Sequence, residues 1–155
     1  MYSTGGGKSK TTKLNINLLK ASQKGEDHRV KKLLKDGAKI NTTDKKSRTP
    51  LHLASEKGHL KTVATLLQHN ASVHQTDHKG DSPLHTASKH GHYLVADHLI
   101  RNKAKVNLPN KLHETPLIKA VQENHLKTAQ KLLKHKANTE LHTREVAGSD
   151  YPLHI

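Results

Sequence analysis

The tetrapeptide Thr49-Pro50-Leu51-His52 recurs along this chain at a regular interval. It returns as Ser82-Pro83-Leu84-His85 and as Thr115-Pro116-Leu117-Ile118, 33 residues apart each time, and a fourth copy, Tyr151-Pro152-Leu153-His154, follows after 36. A fixed period of this length is typical of one supersecondary unit stacked several times. The question of function therefore concerns the surface that such an array presents.

The same period holds at positions outside the tetrapeptide. Apolar residues recur every 33 residues through four units, at Leu18, Leu51, Leu84 and Leu117, and at Ala21, Ala54, Ala87 and Ala120. A first unit therefore precedes the first complete tetrapeptide, with Ile16 and Asn17 in place of Thr and Pro.

Each unit is predicted to contain two short helices and a loop. Thr49 suits the N-cap of the first helix, Pro50 suits its first helical position, and Gly58 suits its C-terminal end. A second helix is predicted over residues 60–68. The stretch 71–81 predicts an extended arm that ends in a turn.

These motifs resemble the ankyrin repeat. The resemblance is carried by Thr-Pro-Leu-His-x-Ala, by Gly-His, by Leu-Leu-x-x-Gly-Ala and by the 33-residue period, and it extends from about Leu14 to the end. It implies an all-α repeat solenoid in which each repeat is a helix-turn-helix with a projecting β-hairpin, or finger loop. It also implies that the fingers and the first helices form a concave side, the usual binding surface of the family.

On this reading the chain has four repeats and the start of a fifth. Residues 1–13 are predicted to be a flexible basic tail rich in Gly, Ser and Thr, and residues 14–155 are predicted to be the repeat domain. The repeats are expected at 14–48, 49–81, 82–114 and 115–150, with a partial repeat at 151–155. A partial repeat of five residues covers little of the apolar face of the repeat before it. We therefore expect either part of a longer chain or a monomer with an unusual end.

Some positions depart from the family pattern. Lys103 and Lys136 stand where the family prefers Gly, so a left-handed backbone is expected there at a cost of about 1 kcal/mol each. Asp27 replaces the apolar residue found at Leu60, and we interpret it as part of a solvent-facing side of the first repeat.

Composition limits the class of protein. Only 32% of the residues are hydrophobic, and Phe, Trp and Cys are absent. A solenoid tolerates this because each repeat buries its apolar stripe against its neighbours. No apolar run approaches the ~20 residues of a membrane span. We expect an intracellular protein, cytoplasmic or nuclear.

The formal net charge is +14, with 27 Lys and Arg against 13 Asp and Glu. Such a charge attracts acidic proteins, nucleic acid and anionic lipid. The alternative is a lysine-rich solvated surface with no role in binding. Basic residues are predicted on the second helices as well as on the fingers, which argues against a dedicated nucleic-acid track.

No catalytic or cofactor motif stands out, and we predict neither an enzyme nor a cofactor. No two of the 15 histidines stand at the His-x-x-x-His spacing of a zinc site within one predicted helix, and several repeat with the period. His52, His85 and His154 are expected to bridge backbone groups. Gly5-Gly6-Gly7-Lys8-Ser9 lacks the preceding strand and the earlier glycine of a phosphate-binding loop.

The predicted function is protein–protein recognition by an adaptor, inhibitor or targeting scaffold. The partner is expected to carry an acidic patch that meets the concave face. The residues predicted to bind it, carried over from the family's concave surface, are Lys45, Lys46, Arg48, Lys57, His78, Lys79, Lys89, His90, Lys111 and Leu112.

Two alternatives stay open. One is non-specific electrostatic binding of nucleic acid or anionic membrane, aided by Lys8, Lys10 and Lys13. Few aromatics and few arginines are available to stack on bases or to read them, so any such binding is expected through phosphates. The other is a structural ankyrin module of a larger multidomain protein.

Overall fold

The repeated stretches fold into helices that come in pairs. The computed structural model describes residues 9–137, and eight helices lie within that range. In chain order they are α1 (Lys10–Lys24), α2 (Asp27–Lys35), α3 (Pro50–Lys57), α4 (Leu60–Gln68), α5 (Pro83–Lys89), α6 (Tyr93–Arg101), α7 (Pro116–Gln122) and α8 (Leu126–Lys134).

The repeated tetrapeptide begins the first helix of a pair as predicted. The Thr49 hydroxyl accepts the N–H of His52 at 3.2 Å, and Nδ1 of His52 accepts the N–H of Thr49 at 3.1 Å. Pro50 occupies the first turn of α3, where a backbone N–H would have no acceptor within the helix, so its absence in proline costs no hydrogen bond. Ser82 and His85 make the same reciprocal pair at α5. The capping residues therefore fix where these two helices begin.

Residues with a left-handed backbone conformation follow the ends of the helices. Gly58, at φ 74°, closes α3 and directs its N–H to the carbonyls of Ala54 and Ser55. The expected left-handed backbone at Lys103 and Lys136 is confirmed, with φ of 72° and 66°. These lysines hold a conformation that side chains other than glycine adopt with strain.

The helices stack in two layers. Helices α1, α3, α5 and α7 pack one on the next, and α2, α4, α6 and α8 form the second layer. Leu18, Leu51 and Leu84 are fully buried in the first layer, and Leu66 and Leu99 in the second. No strand is assigned within residues 9–137. The predicted all-α repeat fold is confirmed.

Two details differ from the sequence predictions. Helix α1 begins at Lys10, with Ser9 as its N-cap, so residues 10–13 are helical although we expected them in a tail. Asp27 does not face solvent: its carboxylate accepts the Thr65 hydroxyl at 2.6 Å, and only 11% of its side chain is exposed. Asp27 therefore joins α2 to α4 of the next pair.

Part of the predicted organisation lies outside the described residues. This applies to the predicted partial repeat at 151–155, to most of the finger before it, and to residues 1–8 of the predicted tail. Among the residues that are described, no helix is both long enough and apolar enough to cross a membrane.

Candidate functional site

Three loops between the helix pairs end in the same turn. We call these turns fingertip 1 (residues 44–48), fingertip 2 (77–81) and fingertip 3 (110–114). In fingertip 1, the N–H of Asp44 donates to the carbonyl of Arg48 at 3.0 Å, and Oδ1 of Asp44 accepts the N–H groups of Lys46 and Arg48. Asp77 and Asn110 form the same turns one and two periods later. A side-chain oxygen thus satisfies backbone donors in each turn.

Backbone hydrogen bonds join each fingertip to the next. The N–H of His78 donates to the carbonyl of Lys46 at 3.1 Å, and the N–H of Lys111 donates to the carbonyl of Lys79 at 3.0 Å. The Nζ of Lys111 also donates to the carbonyl of His78, 2.8 Å away. Two further side chains add to these links: Nδ1 of His78 lies 3.0 Å from the Lys46 carbonyl oxygen, and Nδ2 of Asn110 donates to Oδ1 of Asp81 at 2.8 Å. Main chain and side chains together therefore set the spacing between fingertips.

A cleft of about 130 Å³ opens between fingertips 1 and 2 and the facing ends of α3 and α5. We call it the charged cleft. It brings together six of the ten residues predicted to bind a partner, together with Glu56, Asp77, Asp81 and Thr86. The six are Lys46, Arg48, His78, Lys79, Lys89 and His90.

The charged cleft is less basic than its predicted residues suggest. The Nε of Arg48 lies 2.9 Å from Oδ2 of Asp44, and its Nη1 lies 3.6 Å from Oε1 of Glu56. The other Glu56 oxygen lies 3.9 Å from Nε2 of His90. Arg48 is therefore held by two carboxylates and forms a wall of the cleft.

The net effect of burial and these contacts is to lower the pKa values of Asp44 and His90. Burial raises the pKa of the Asp44 carboxyl, but hydrogen bonds from Arg48 and Lys46 outweigh it, so the net pKa lies below its usual value. Burial lowers the pKa of His90, and the opposing attraction of Glu56 does not restore it. At neutral pH His90 therefore adds little positive charge, and the cleft lysines stand beside the carboxylates of Asp77 and Asp81.

Lys46, Lys79 and Lys89 are the lysines that line the charged cleft. Among residues 9–137, none of their ammonium groups has an ion-pair partner. Lys46 and Lys79 are exposed at the two fingertips, and Lys89 is half-buried in the last turn of α5. Three cations therefore line one recess on the face formed by fingertips and first helices.

Comparison with known proteins identifies the repeat. The family model described as ankyrin repeats, in three copies, matches residues 18–110 and 73–145. The chain belongs to the ankyrin-repeat family. Ankyrin repeats are generally protein–protein interaction modules. No curated protein is similar enough in sequence to count as a match.

The other four predicted residues lie around the charged cleft. Lys45 lines a separate groove beside α1, which we call the N-terminal groove. Lys57 is exposed in the last turn of the α3 ankyrin helix. Lys111 uses its ammonium group on the His78 carbonyl, and Leu112 is 74% exposed at fingertip 3. The structure does not gather these four with the other six.

The motif histidines have structural partners in the ankyrin fold. Nε2 of His52 lies 2.8 Å from the carbonyl of Asp81, and Nε2 of His85 lies 2.9 Å from the carbonyl of Glu114. Both rings thus bridge a helix start to the next fingertip, as predicted; His154 lies outside the described residues. Within 9–137, no group of three His, Asp or Glu side chains is placed to hold a metal ion.

Sequence reasoning did not predict the ion pairs that hold Arg48 beside the cleft. Glu56 and Asp44 are not adjacent in sequence, so their joint contact with Arg48 was not apparent. The network around Glu114 was not predicted either: hydrogen bonds from Gln122, Asn110 and Lys119 lower the pKa of this carboxyl to about 2. One signal was available, because Asp44, Asp77 and Asn110 recur every 33 residues.

Proposed function

We propose that this ankyrin-repeat chain binds an acidic segment of a protein partner in the charged cleft. The proposal is carried by one observation: Lys46, Lys79 and Lys89 line a single recess, and no described residue pairs with their charges. Carboxylates on a partner would form charge-assisted hydrogen bonds with these ammonium groups. The role is recognition, by an adaptor, inhibitor or targeting scaffold, and not catalysis.

The rigidity of the site favours recognition. Each fingertip is closed by its own side-chain cap, and neighbouring fingertips are joined through the main chain. A partner therefore does not have to order these loops when it binds, and less free energy is lost on association.

The second-layer helices α2, α4, α6 and α8 also carry basic side chains that could bind an acidic ligand. Three of their nine Lys and Arg are paired with a carboxylate four residues away: Lys31 with Asp27, Lys32 with Asp36, and Arg101 with Asp97. The other six Lys and Arg of these helices have no ion-pair partner among the described residues, so binding through the whole basic surface stays open. Binding of nucleic acid or anionic membrane remains the second candidate because the net charge is +14.

The test compares two baits of equal charge. One carries Lys46→Glu, Lys79→Glu and Lys89→Glu. The control reverses three exposed lysines away from the cleft, with Lys35→Glu, Lys105→Glu and Lys134→Glu. Proteins are captured from a nuclease-treated lysate and from an untreated one, and thermal unfolding verifies that both variants fold.

We expect a discrete protein to bind the wild-type and control baits in both lysates and to be lost from the cleft variant. Equal loss from both variants, with recovery that depends on nucleic acid, would support diffuse electrostatic binding instead. Capture that neither variant changes would contradict both ideas and favour a module that only positions other domains.

A further inference from the structure

The N-terminal groove differs chemically from the charged cleft. It has a volume of about 540 Å³ and lies between α1, fingertip 1 and the start of α3. Its aliphatic lining residues are Ile16 and Leu19, which are half-buried, and Leu53, which is only 3% exposed. That volume is within the range of sites that bind small ligands or anchoring side chains.

The apolar surface exists because the first repeat departs from the motif. Ile16 and Leu19 occupy the positions that Thr49 and His52 occupy one period later. There the threonine and histidine are buried and satisfy each other's hydrogen bonds at the helix start. Isoleucine and leucine cannot form that pair, and both remain half-buried in the groove wall.

Leu53 adds a third aliphatic side chain to the lining, although it is itself buried. The equivalent positions one period before and two periods after it hold Lys20 and Lys119, and Thr86 stands between. Leu53 is thus an aliphatic residue at a position that is otherwise polar. Three aliphatic side chains meet here and not at the corresponding place between later repeats.

Unpaired cations lie at the edge of the groove. Lys20 and Lys45 line it, both are exposed, and neither has an ion-pair partner among residues 9–137. Arg48 lines both this groove and the charged cleft. The two recesses therefore adjoin at Arg48, and an apolar surface continues into a basic one.

We infer that the N-terminal groove receives an aliphatic side chain from the same acidic partner segment whose carboxylates occupy the charged cleft. This inference rests on the proposed function and adds a requirement to it. Charge complementarity selects the occupant, because an apolar segment without acidic residues gains nothing from Lys20, Lys45 and the cleft lysines. A nucleic acid would match the charges but has no aliphatic group for the groove.

The groove and the cleft can be tested separately with a displayed library of random 12-residue peptides. The baits are the full-length wild-type chain, the cleft variant (Lys46→Glu, Lys79→Glu, Lys89→Glu) and Gln23→Trp. Gln23 is an exposed residue of α1 that lines the groove, so a tryptophan there would obstruct it without altering the core. Glu26→Trp, an exposed position just after α1 that does not line the groove, is the control.

We expect the wild-type and Glu26→Trp baits to select peptides with clustered Asp or Glu and one Leu, Ile or Val at a constant distance from them. Replacing that residue by Ser in a selected peptide should weaken binding about tenfold or more, as expected for one buried aliphatic side chain. Gln23→Trp should bind the Leu and Ser forms equally. Each affinity is measured by fluorescence anisotropy.

Two outcomes would overturn the inference in different ways. Acidic peptides without an apolar preference, or an apolar preference that Gln23→Trp leaves intact, would reject the groove and leave the charged cleft in place. Selection of no acidic peptides by the wild-type bait would reject the groove and the proposed function together.

Discussion

Nε2 of His52 donates to the backbone oxygen of Asp81 across 2.8 Å, and so ties the start of α3 to the next fingertip. Nδ1 of the same ring accepts the N–H of Thr49, which leaves the proton on Nε2. The ring is fully buried and serves as donor and acceptor at once. Only the neutral form can do both, because a protonated ring has no acceptor.

This relationship predicts how stability varies with pH. Burial lowers the pKa of His52 below its usual value, although the Asp81 carbonyl and nearby carboxylates act in the opposite direction. Above the unfolded pKa of about 6.5, both states are neutral and stability is fully retained. Below it, the unfolded chain takes up the proton first, so the free energy of unfolding should fall as pH drops towards the folded pKa.

His52→Gln should lower the free energy of unfolding at pH 7.5 by about 1–3 kcal/mol and flatten its decline below pH 6.5. Urea unfolding at pH 7.5, 6.5 and 5.5 measures both effects. His74→Gln, at an exposed loop position, is the control and should keep the wild-type slope. A slope unchanged by His52→Gln would contradict the role given to this ring.

Gly58→Ala should destabilise the fold by about 2 kcal/mol or more. The backbone at Gly58 has φ 74°, and an added Cβ would lie 2.6 Å from Nδ1 of His92. Left-handed strain alone costs about 1 kcal/mol, and the overlap with the ring adds to it. A double-mutant cycle with His92→Ala separates the two causes, because removing the ring should relieve only the overlap. Additive costs would show that the contact with His92 does not matter.

Lys103→Gly should stabilise the protein by about 1 kcal/mol. Lys103 has φ 72°, a conformation that glycine adopts without strain. The control is Lys105→Gly, at a nearby exposed position whose φ is not positive, and it should be neutral or mildly destabilising. Thermal unfolding compares the two, and a gain at Lys105 equal to that at Lys103 would argue against the strain.

Ser55→Ala should leave stability unchanged or raise it by up to about 1 kcal/mol. The Ser55 hydroxyl is fully buried and has no hydrogen-bond partner among residues 9–137, and the hydroxyls of Ser22 and Ser88 share this situation at the same repeat position. Ser82→Ala is the matched control: it removes the N-cap of α5 and should cost about 1 kcal/mol. A comparable loss from both substitutions in chemical denaturation would indicate that the Ser55 hydroxyl is bonded after all.

The helices could be predicted from the sequence because their signals are local. Thr49 and Pro50 begin a helix and Gly58 ends it through contacts within a few residues. Because the pattern recurs every 33 residues, the same helix boundaries are predicted in the other repeats. The start of α1 was missed because Ser9, its N-cap, stands in a polar stretch without an apolar stripe to mark a helix.

The charges of the site could be predicted only in part. The period locates Lys46 and Lys79 at equivalent fingertip positions, but it does not tell which cations already have partners. Arg48 was predicted to face a ligand, whereas Asp44 and Glu56 hold it. The pair with Glu56 depends on how far side chains reach from one repeat to the next, which the period does not show. The apolar groove was missed for a similar reason, since Ile16 and Leu19 looked like imperfect copies of the motif.

The hydrogen bonds from His78 to Lys46 and from Lys111 to Lys79 use backbone atoms at the fingertips. The side chains of His78, Asn110 and Lys111 add bonds between the tips, but within residues 9–137 none of the bonds between tips uses the side chains at 45, 46, 79 or 112. Side chains at 45, 46, 79 and 112 can be exchanged during evolution, or in the laboratory, while the interval at which they are displayed stays constant. The binding preference of this surface can thus be changed one side chain at a time while the backbone of the fingertips keeps its arrangement.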